Sequence, residues 1–229
     1  MTEYFDFEDG NGEVPAHRHP YGGGWVADTA YVSPTAYVGT NARVYGQARV
    51  YDYARACDEA RVFGKARVFG YSKVASNARV FENARVFGRA EIAGVSRVYG
   101  DSEIFGNAQI FSMASVFGNI QVFGDAKIAG HSTVGGYSRV GGNAQVGGHT
   151  KIFGNTRVYG IQRSDGYTFI YVPDTDGVMK VQAGCRNFTM EEAKKHWKKT
   201  RGGTRLGDET MEILKCLKRL SKVKPEGCV

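Results

Sequence analysis

The sequence predicts an all-β solenoid, a parallel β-helix, with a small α+β appendage at its C-terminal end. Three observations predict this fold. An aliphatic residue recurs every six positions from Val26 to Val158, a small residue, usually Ala or Ser, stands two places before it, and Gly usually stands two places after it. Of the twenty-three positions in the series, only Ala56 is neither Val nor Ile. This regularity is typical of repeat proteins, whose stacked units share one continuous core.

Each six-residue unit predicts a short strand followed by a corner. In ARVFGK, Ala60 and Val62 face inward because alternate strand residues point to opposite sides. Arg61 and Phe63 consequently face outward, and Gly64 supplies the backbone freedom that the corner requires. One such rung buries too little surface to be stable alone, so the rungs must stack.

The rungs resemble the hexapeptide repeat of the left-handed parallel β-helix, the fold of the trimeric LpxA-like acyltransferase superfamily. The resemblance covers roughly residues 24–160. It implies that three rungs form one triangular coil, that the solenoid is left-handed and that the subunits trimerise. In many enzymes of that family Gly or Asp directly follows the inward aliphatic residue, whereas Phe or Tyr often stands there in this chain, as at Phe63 and Phe69. The pattern is therefore closer to non-enzymatic repeat proteins of bacteria and phages.

The composition narrows the class of protein. The chain has 31 Gly and only 5 Pro, which favours many tight turns over linkers. The net charge of +7 favours an anionic partner. No run of eighteen apolar residues predicts a membrane span, and the acidic start MTEYFDFEDG is unlike a signal peptide. The four Cys have no metal-like spacing, so we expect a reduced, cytoplasmic protein.

The repeat divides the chain into three parts. Residues 1–23 form an acidic, Gly-rich segment, residues 24–160 form the solenoid, and residues 161–229 form a basic module. The first part contains HRHP, in which His17 and His19 could bind a metal ion. Because no third ligand is near in sequence, we interpret HRHP as a polar loop and predict no metal site.

The basic module predicts a hairpin and two helices. YTFIYV and VMKVQAG flank DTDG, as expected for a hairpin. Thr189 stands three places before Glu192 and predicts a capping box that opens a helix, which Gly202 and Gly203 end. A second helix is predicted from near Asp208, and its apolar stripe comprises Met211, Leu214, Leu217 and Leu220. We expect the module to cap the solenoid, to contact other subunits or to dock a partner.

Three rungs per coil place residues eighteen apart in outward columns with a spacing of about 4.8 Å. Two faces then carry an arginine column beside an aromatic column, whereas the third face is flat. The arginine columns comprise Arg43, Arg61, Arg79 and Arg97 on one face and Arg49, Arg67 and Arg85 on the next. The aromatic columns comprise Tyr45, Phe63, Phe81, Tyr99 and Phe117, and Tyr51, Phe69, Phe87, Phe105 and Phe123.

Stacked arginines repel one another, so another group must compensate their charge. Either the guanidinium groups lie over neighbouring rings, or an anionic partner binds them, since arginine with aromatic rings suits phosphates and bases. The ring columns would expose more apolar surface than a monomer usually does. We therefore expect at least one face to join copies of the chain in a trimer or a dimer.

One coil lacks outward rings, because every aromatic position in STVGGYSRVGGNAQVGGH is Gly. We call it the stripped coil and expect a ligand or another backbone to approach it closely. Two histidines at the borders of this coil, His131 and His149, are eighteen residues apart and should therefore stack on each other. The candidate binding residues are His131, Gly135, Tyr137, Arg139, Gly141, Gly147 and His149.

The leading functional hypothesis is an oligomeric, non-catalytic protein that needs no cofactor. It would capture an anionic, nucleotide-like small molecule or block a host protein or nucleic acid, and analogy with phage repeat proteins suggests a counter-defence role. The resemblance also implies an alternative, an acyltransferase with a coenzyme A or acyl carrier donor and His131 or His149 as general base. No inserted loop interrupts the repeat to build an acceptor pocket, which argues against the enzyme.

Two further classes fit poorly. A γ-class carbonic anhydrase needs three His around zinc, and the two His in the repeat lack that family's motif. Ice-binding solenoids present flat Thr ladders, whereas the flat face here is rich in Ala and Gly.

Overall fold

The computed structural model describes residues 3–173, 178–184 and 186–222. It is a parallel β-solenoid with a strand and helix appendage. In chain order the elements are β1 (Glu3–Asp6), β2 (Glu13–Arg18), β3 (Trp25–Ala27), β4 (Tyr31–Val32), β5 (Tyr37–Val38), β6 (Arg43–Val44), β7 (Arg49–Val50), β8 (Arg55–Ala56), β9 (Arg61–Val62), β10 (Arg67–Val68), β11 (Lys73–Val74), β12 (Arg79–Val80), β13 (Arg85–Val86), β14 (Glu91–Ile92), β15 (Arg97–Val98), β16 (Glu103–Ile104), β17 (Gln109–Ile110), β18 (Ser115–Val116), β19 (Gln121–Val122), β20 (Lys127–Ile128), β21 (Thr133–Val134), β22 (Arg139–Gly142), β23 (Gln145–Val146), β24 (Lys151–Ile152), β25 (Arg157–Gln162), β26 (Thr168–Pro173), β27 (Met179–Ala183), β28 (Arg186–Phe188), α1 (Met190–Arg201) and α2 (Arg205–Leu220).

Three parallel sheets form the walls of the solenoid. The first sheet contains every third strand from β3 to β24, the second from β4 to β25 and the third from β5 to β23. Each rung pairs with the rung eighteen residues away, as Arg61 pairs with Arg79 and Val62 with Val80. The predicted coil of three rungs is therefore confirmed, and the first and second sheets each contribute eight parallel strands to about eight coils.

The inward aliphatic residues form one core along the whole solenoid. Val62, Val80 and Ile104 are completely buried, as predicted, and the same hydrophobic cluster extends from Val26 to Val158. The strands are only two residues long in most rungs, so no coil could retain this core without its neighbours.

The corners have the left-handed backbone conformation that the Gly pattern predicts. Gly64, for example, has φ of +68°. Five corners hold a residue other than Gly, with φ between 55° and 62°, namely Asp52, Asp58, Ser76, Glu82 and Ser112. The three acidic ones accept a hydrogen bond from the backbone N–H of the next coil, as Asp58 Oδ2 does from Ser76 at 2.9 Å. That bond helps to offset the unfavourable φ.

The N-terminal segment is a hairpin that extends the first sheet. Strands β1 and β2 pair antiparallel, and β2 pairs antiparallel with β3. The interpretation of HRHP as a polar loop was wrong, because His17 and Arg18 are the last residues of β2 and His19 is buried. The hairpin provides partners for the first rung of the solenoid, which would otherwise be an open sheet edge.

The C-terminal strands continue the second sheet and cover the other end of the solenoid. Strands β26 and β27 pair antiparallel, which confirms the predicted hairpin, although the DTDG segment, residues 174–177, lies outside the described residues. Ile170 and Val172 join the solenoid core, whereas Phe169 and Val181 pack with the two helices in a separate cluster.

The capping box at the start of α1 is confirmed. The N–H of Glu192 donates to Thr189 Oγ1 at 3.2 Å, and the N–H of Thr189 donates to Glu192 Oε2 at 2.8 Å. Helix α2, however, begins at Arg205 rather than near Asp208. Thr204 is its N-cap, because its Oγ1 accepts the N–H of Gly207 at 3.1 Å.

The apolar stripe of α2 is partly as predicted. Leu214 and Leu217 are buried together with Ile213, which the predicted stripe omitted. Met211 and Leu220 are partly exposed. Among the residues described, no helix is long and apolar enough to cross a membrane.

Candidate functional site

The aromatic columns are continuous stacks of rings. In the first sheet the Tyr45 and Phe63 centroids are 4.9 Å apart and the Phe63 and Phe81 centroids 4.8 Å apart, with the rings within 2° of parallel. The second sheet has the same arrangement, with Phe69 and Phe87 centroids 5.0 Å apart. Most of these rings are partly exposed. Each ring therefore covers its neighbours in the column and leaves an outer edge open to a partner.

A carboxylate of the N-terminal hairpin compensates the first arginine column at its start. Glu8 Oε1 lies 3.0 Å from Arg43 Nη2, and Glu8 Oε2 lies 2.8 Å from Arg61 Nη2. These hydrogen bonds, first from Arg43 and then from Arg61, lower the pKa of Glu8 to about 2. Neither explanation derived from the sequence included this acid.

A series of hydrogen-bonded polar side chains compensates part of the positive charge of the second arginine column. Arg85 Nη1 lies 2.6 Å from Glu103 Oε1, and Gln121 Nε2 donates to Glu103 Oε2 at 3.1 Å. Arg139 Nε in turn donates to Gln121 Oε1 at 2.8 Å. The Arg139 side chain is exposed but already has a hydrogen-bond partner on its own face.

The predicted stacking of guanidinium groups on the ring columns occurs at few positions. Arg85 lies over Phe87, 5.6 Å from the centroid, whereas Arg43 lies over Phe5 of the hairpin. In the described part of the chain, exposed Arg67, Arg79 and Arg97 form no ion pair and no side-chain hydrogen bond. Within the described residues, no acidic side chain therefore pairs with Arg67 of the second column or with the last two arginines of the first column.

Two shallow depressions adjoin the start of the second arginine column. The first, which we call the basic depression, has a volume of about 390 Å³ and has no acidic residue in its lining. It is lined by Thr29, Tyr31, Gln47, Arg49, Lys65 and Arg67. The second, of about 410 Å³, shares two of these residues and is lined by Tyr31, Ser33, Thr35, Arg49, Tyr51 and Asp52.

Tyr31 and Arg49 are the residues that both depressions share. Arg49 Cζ lies 5.5 Å from the centroid of the Tyr31 ring, so the guanidinium and the ring are held together. Sequence reasoning named Arg49 and Arg67 but missed Tyr31 and Lys65. The spacing of eighteen could have revealed Tyr31, because it pairs with Arg49 and so heads the second arginine column.

The stripped coil is open on one face only. Gly135 and Gly141 are buried, because the rings of Phe117 and Phe123 lie over them. Rings from the next coil approach as well, with the Phe117 and Phe153 centroids 6.1 Å apart. Rings of the chain itself thus cover two of the three glycine positions at which a ligand or another backbone was expected to approach. At the third glycine, Gly147, a Cβ would have no neighbour within 4 Å.

The candidate residues of the stripped coil surround the solenoid. His131 precedes β21 at a corner between the third and first sheets, Tyr137 lies at the next corner, and Arg139 begins β22 in the second sheet. The structure therefore does not bring His131 and Arg139 together. The predicted stacking of His131 on His149 is confirmed, with centroids 5.1 Å apart and planes at 10°.

Within the described part of the chain, the histidine pair has no side chain that would orient it as a general base. Neither imidazole accepts or donates a hydrogen bond there, whereas a catalytic base is usually held by a third group. Among those residues, no three His, Cys, Asp or Glu side chains converge on a point that could hold a metal ion. Cys57 and Cys216 are free thiols, and Cys185 and Cys228 lie outside the described residues.

No protein-family model matches this chain, and no curated protein is significantly similar to it. The left-handed sense and the relation to the hexapeptide-repeat superfamily thus stay predictions from the sequence. What the structure establishes is a parallel β-solenoid of about eight coils with two C-terminal helices.

Proposed function

We propose that this protein is a non-catalytic, oligomeric binding protein that captures a small anionic ligand of nucleotide-like chemistry. One observation carries the proposal. The basic depression combines three cations with a tyrosine ring and has no carboxylate in its lining. An unoccupied cluster of like charges is unfavourable, so a bound anion would stabilise it.

The residues of the basic depression suit a phosphorylated ligand. Arg49 and Arg67 can each donate two parallel hydrogen bonds to phosphate oxygens. Lys65, at the corner that precedes Arg67, adds a compact positive charge. The Tyr31 ring offers a face on which a base can stack. The volume of about 390 Å³ lies within the range of small-molecule sites.

Oligomerisation is part of the proposal because of the second aromatic column. Five rings from Tyr51 to Phe123 stack along the face that also carries the basic depression. Aromatic and arginine side chains are enriched in protein interfaces. A second copy on this face would cover the rings and would close the shallow depression from one side.

The stripped coil is a second candidate position for the ligand. Tyr137 is 69% exposed, and Arg139 is exposed on the neighbouring sheet. Its arginine, however, already bonds to Gln121, whereas Arg67 has no such partner among the described residues. The unpaired charge favours the basic depression.

Native mass spectrometry of the protein purified from cells tests capture directly. We expect a multimer that carries a small anionic adduct, and mild denaturation should release this adduct for identification. A multimer without an adduct would contradict retention of a ligand from the cell, and the protein would then be titrated with coenzyme A to test the acyltransferase alternative.

Calorimetric titration with adenosine diphosphate and with inorganic pyrophosphate locates the site. Arg67→Glu should weaken binding at least about 10-fold, because a charged hydrogen bond contributes about 1.5–3 kcal/mol. Arg139→Glu is the matched control and should leave binding within about 2-fold of the wild type. Loss of binding in Arg139→Glu alone would place the ligand at the stripped coil instead.

A further inference from the structure

Helix α1 carries an excess of positive charge that is separate from the basic depression. Between residues 194 and 205 the chain has six cationic residues and no acidic one. Apart from Lys194, these cations are exposed. They are Lys194, Lys195, Lys198, Lys199, Arg201 and Arg205. The first five form no ion pair and no side-chain hydrogen bond within the described residues.

The charges lie on the side of α1 that faces away from the appendage core. Ala193 and Trp197 are buried against that core, whereas Lys195 and Lys199 are exposed. Lys195 and Lys199 are also four residues apart on one helix face, where like charges are destabilising. The end of the helix dipole offsets only part of this repulsion. A bound polyanion would offset the remaining repulsion.

Two rings adjoin the cations. Phe188 of β28 and His196 of α1 stack with centroids 5.0 Å apart, and both are partly exposed above the buried Trp197. Desolvation, and then the charges of Arg186 and Lys199, lower the pKa of His196. The lowered pKa favours the neutral ring at neutral pH, and the charges of Arg186 and Lys199 are near enough to disfavour its protonated form.

We group the exposed cations of α1 and β28 with the two rings under one name, the α1 basic face. It consists of Arg186, Phe188, Lys195, His196, Lys198, Lys199 and Arg201. We propose that the α1 basic face binds single-stranded nucleic acid. The cations would contact successive phosphates, and the Phe188–His196 pair would stack on unpaired bases, which gives binding with little sequence preference.

The two rings favour nucleic acid over other polyanions as the partner of this surface. An acidic protein segment would need only the cations, and an anionic membrane would require large apolar side chains that could insert. The largest apolar side chain here, Trp197, is only 4% exposed. Partly exposed flat rings between cations instead suit the faces of bases.

Fluorescence anisotropy with a labelled 20-nucleotide oligothymidylate tests the proposal on the full chain. We expect binding at low salt that weakens as salt rises, with a slope of about −0.7 in log K for each phosphate contacted. The triple variant K195E/K198E/K199E should lose more than about 30-fold in affinity, and its slope should become shallower by about 2. Because these lysines are exposed, the variant should keep the wild-type circular dichroism spectrum.

A charge-matched control distinguishes the effect of the α1 basic face on binding from the effect of the net charge. The triple variant R79E/R97E/K127E changes the same charge at exposed solenoid residues outside the basic depression and should stay within about 3-fold of the wild type. His196→Ala should weaken single-strand binding several-fold and leave the salt slope unchanged, because it removes a ring and no cation.

Four results would overturn the proposal. They are no binding of the oligonucleotide at low salt, equal losses in the two triple variants, competition by polyglutamate as effective as that by unlabelled oligothymidylate, and equal affinity for a duplex of the same length. Failure of this proposal would leave ligand capture at the basic depression untouched, since the two use different residues.

Discussion

Glu8 Oε2 lies 2.8 Å from Arg61 Nη2, which joins the N-terminal hairpin to the first arginine column. The other oxygen of the same carboxylate binds Arg43 at 3.0 Å. Arg43 and Arg61 occupy stacked rungs of adjacent coils, so one acid compensates two stacked charges. The hairpin thus offsets the repulsion that the column creates at its first two arginines.

Glu8→Gln should lower the thermal stability at neutral pH by removing this compensation. The folded pKa of Glu8 is about 2, below the ordinary value of 4.5. Its stabilising effect is therefore complete above about pH 4.5 and is lost as the pH falls towards 2. The measurement is the melting temperature of both proteins between pH 7 and pH 2 at low salt, where exposed ion pairs are least screened.

The difference in melting temperature between wild type and Glu8→Gln should shrink across that window. Asp165 titrates in the same range, with a pKa of about 2, but it does so in both proteins and cancels from the difference. Glu13→Gln, at an exposed carboxyl of β2, is the control and should have little effect. A difference that stays constant down to pH 2 would contradict the bridging role of Glu8.

Much of the fold could be predicted because the repeat is local. The inward Val series, the corners such as Gly64 and the pairing of residues eighteen apart all follow from one six-residue unit. The Glu8 bridge could not be predicted, since 35 and 53 residues separate Glu8 from Arg43 and Arg61. No periodicity relates the hairpin to the column.

The candidate site was predicted less well than the fold. The sequence located the arginine columns and the ring-free coil, but side-chain packing decided which of them is open. The ring of Phe117 turns over Gly135 because the glycine leaves room for it. The pattern alone suggested that the missing rings leave an open surface, whereas neighbouring rings fill the space on two faces.

Two serines at equivalent inward positions should respond oppositely to alanine. Both Ser72 and Ser102 are fully buried. Ser72 Oγ donates to the carbonyl of Phe69 at 2.8 Å, whereas Ser102 Oγ has no hydrogen-bond partner among the described residues. Ser102→Ala should stabilise the protein by about 1 kcal/mol, and Ser72→Ala should destabilise it by about 1 kcal/mol. Thermal unfolding of the two variants checks this, and the same sign for both would contradict it.

Alanine substitutions at two corner glycines distinguish the cost of backbone strain from the cost of crowding between coils. Gly100 and Gly154 have nearly the same φ, +73° and +72°. A Cβ at Gly100 would lie 2.6 Å from the backbone N of Gly118, whereas at Gly154 nothing lies within 4 Å. Gly154→Ala should therefore cost only the left-handed strain of about 1 kcal/mol. Gly100→Ala should cost about 1–3 kcal/mol more, because two coils must move apart.

Thermal melts of the two glycine variants give the comparison directly. Gly100→Ala should melt several degrees below Gly154→Ala. Equal melting temperatures would mean that the stacked corners can separate without cost, and the close packing of coils at Gly118 would then contribute little to stability.

Phe87→Glu should dissociate the proposed oligomer. Phe87 lies in the middle of the second aromatic column, between Phe69 and Phe105. A charge there would be buried without a partner if a second copy covered the column, which is strongly unfavourable. The first column begins under the N-terminal hairpin, where Phe7 stacks on Tyr45 at 4.9 Å. If the chain forms the proposed oligomer, we therefore expect its interface at the second column.

Light scattering coupled to size exclusion measures the mass of each variant. Phe87→Glu should elute as a monomer, whereas Phe81→Glu, at the corresponding place in the first column, should keep the mass of the wild type. Both substitutions change a partly exposed ring in a stack of similar spacing, 4.8 Å and 5.0 Å, so loss of stacking alone would affect them similarly. Dissociation of Phe81→Glu with an intact Phe87→Glu oligomer would move the interface to the first sheet.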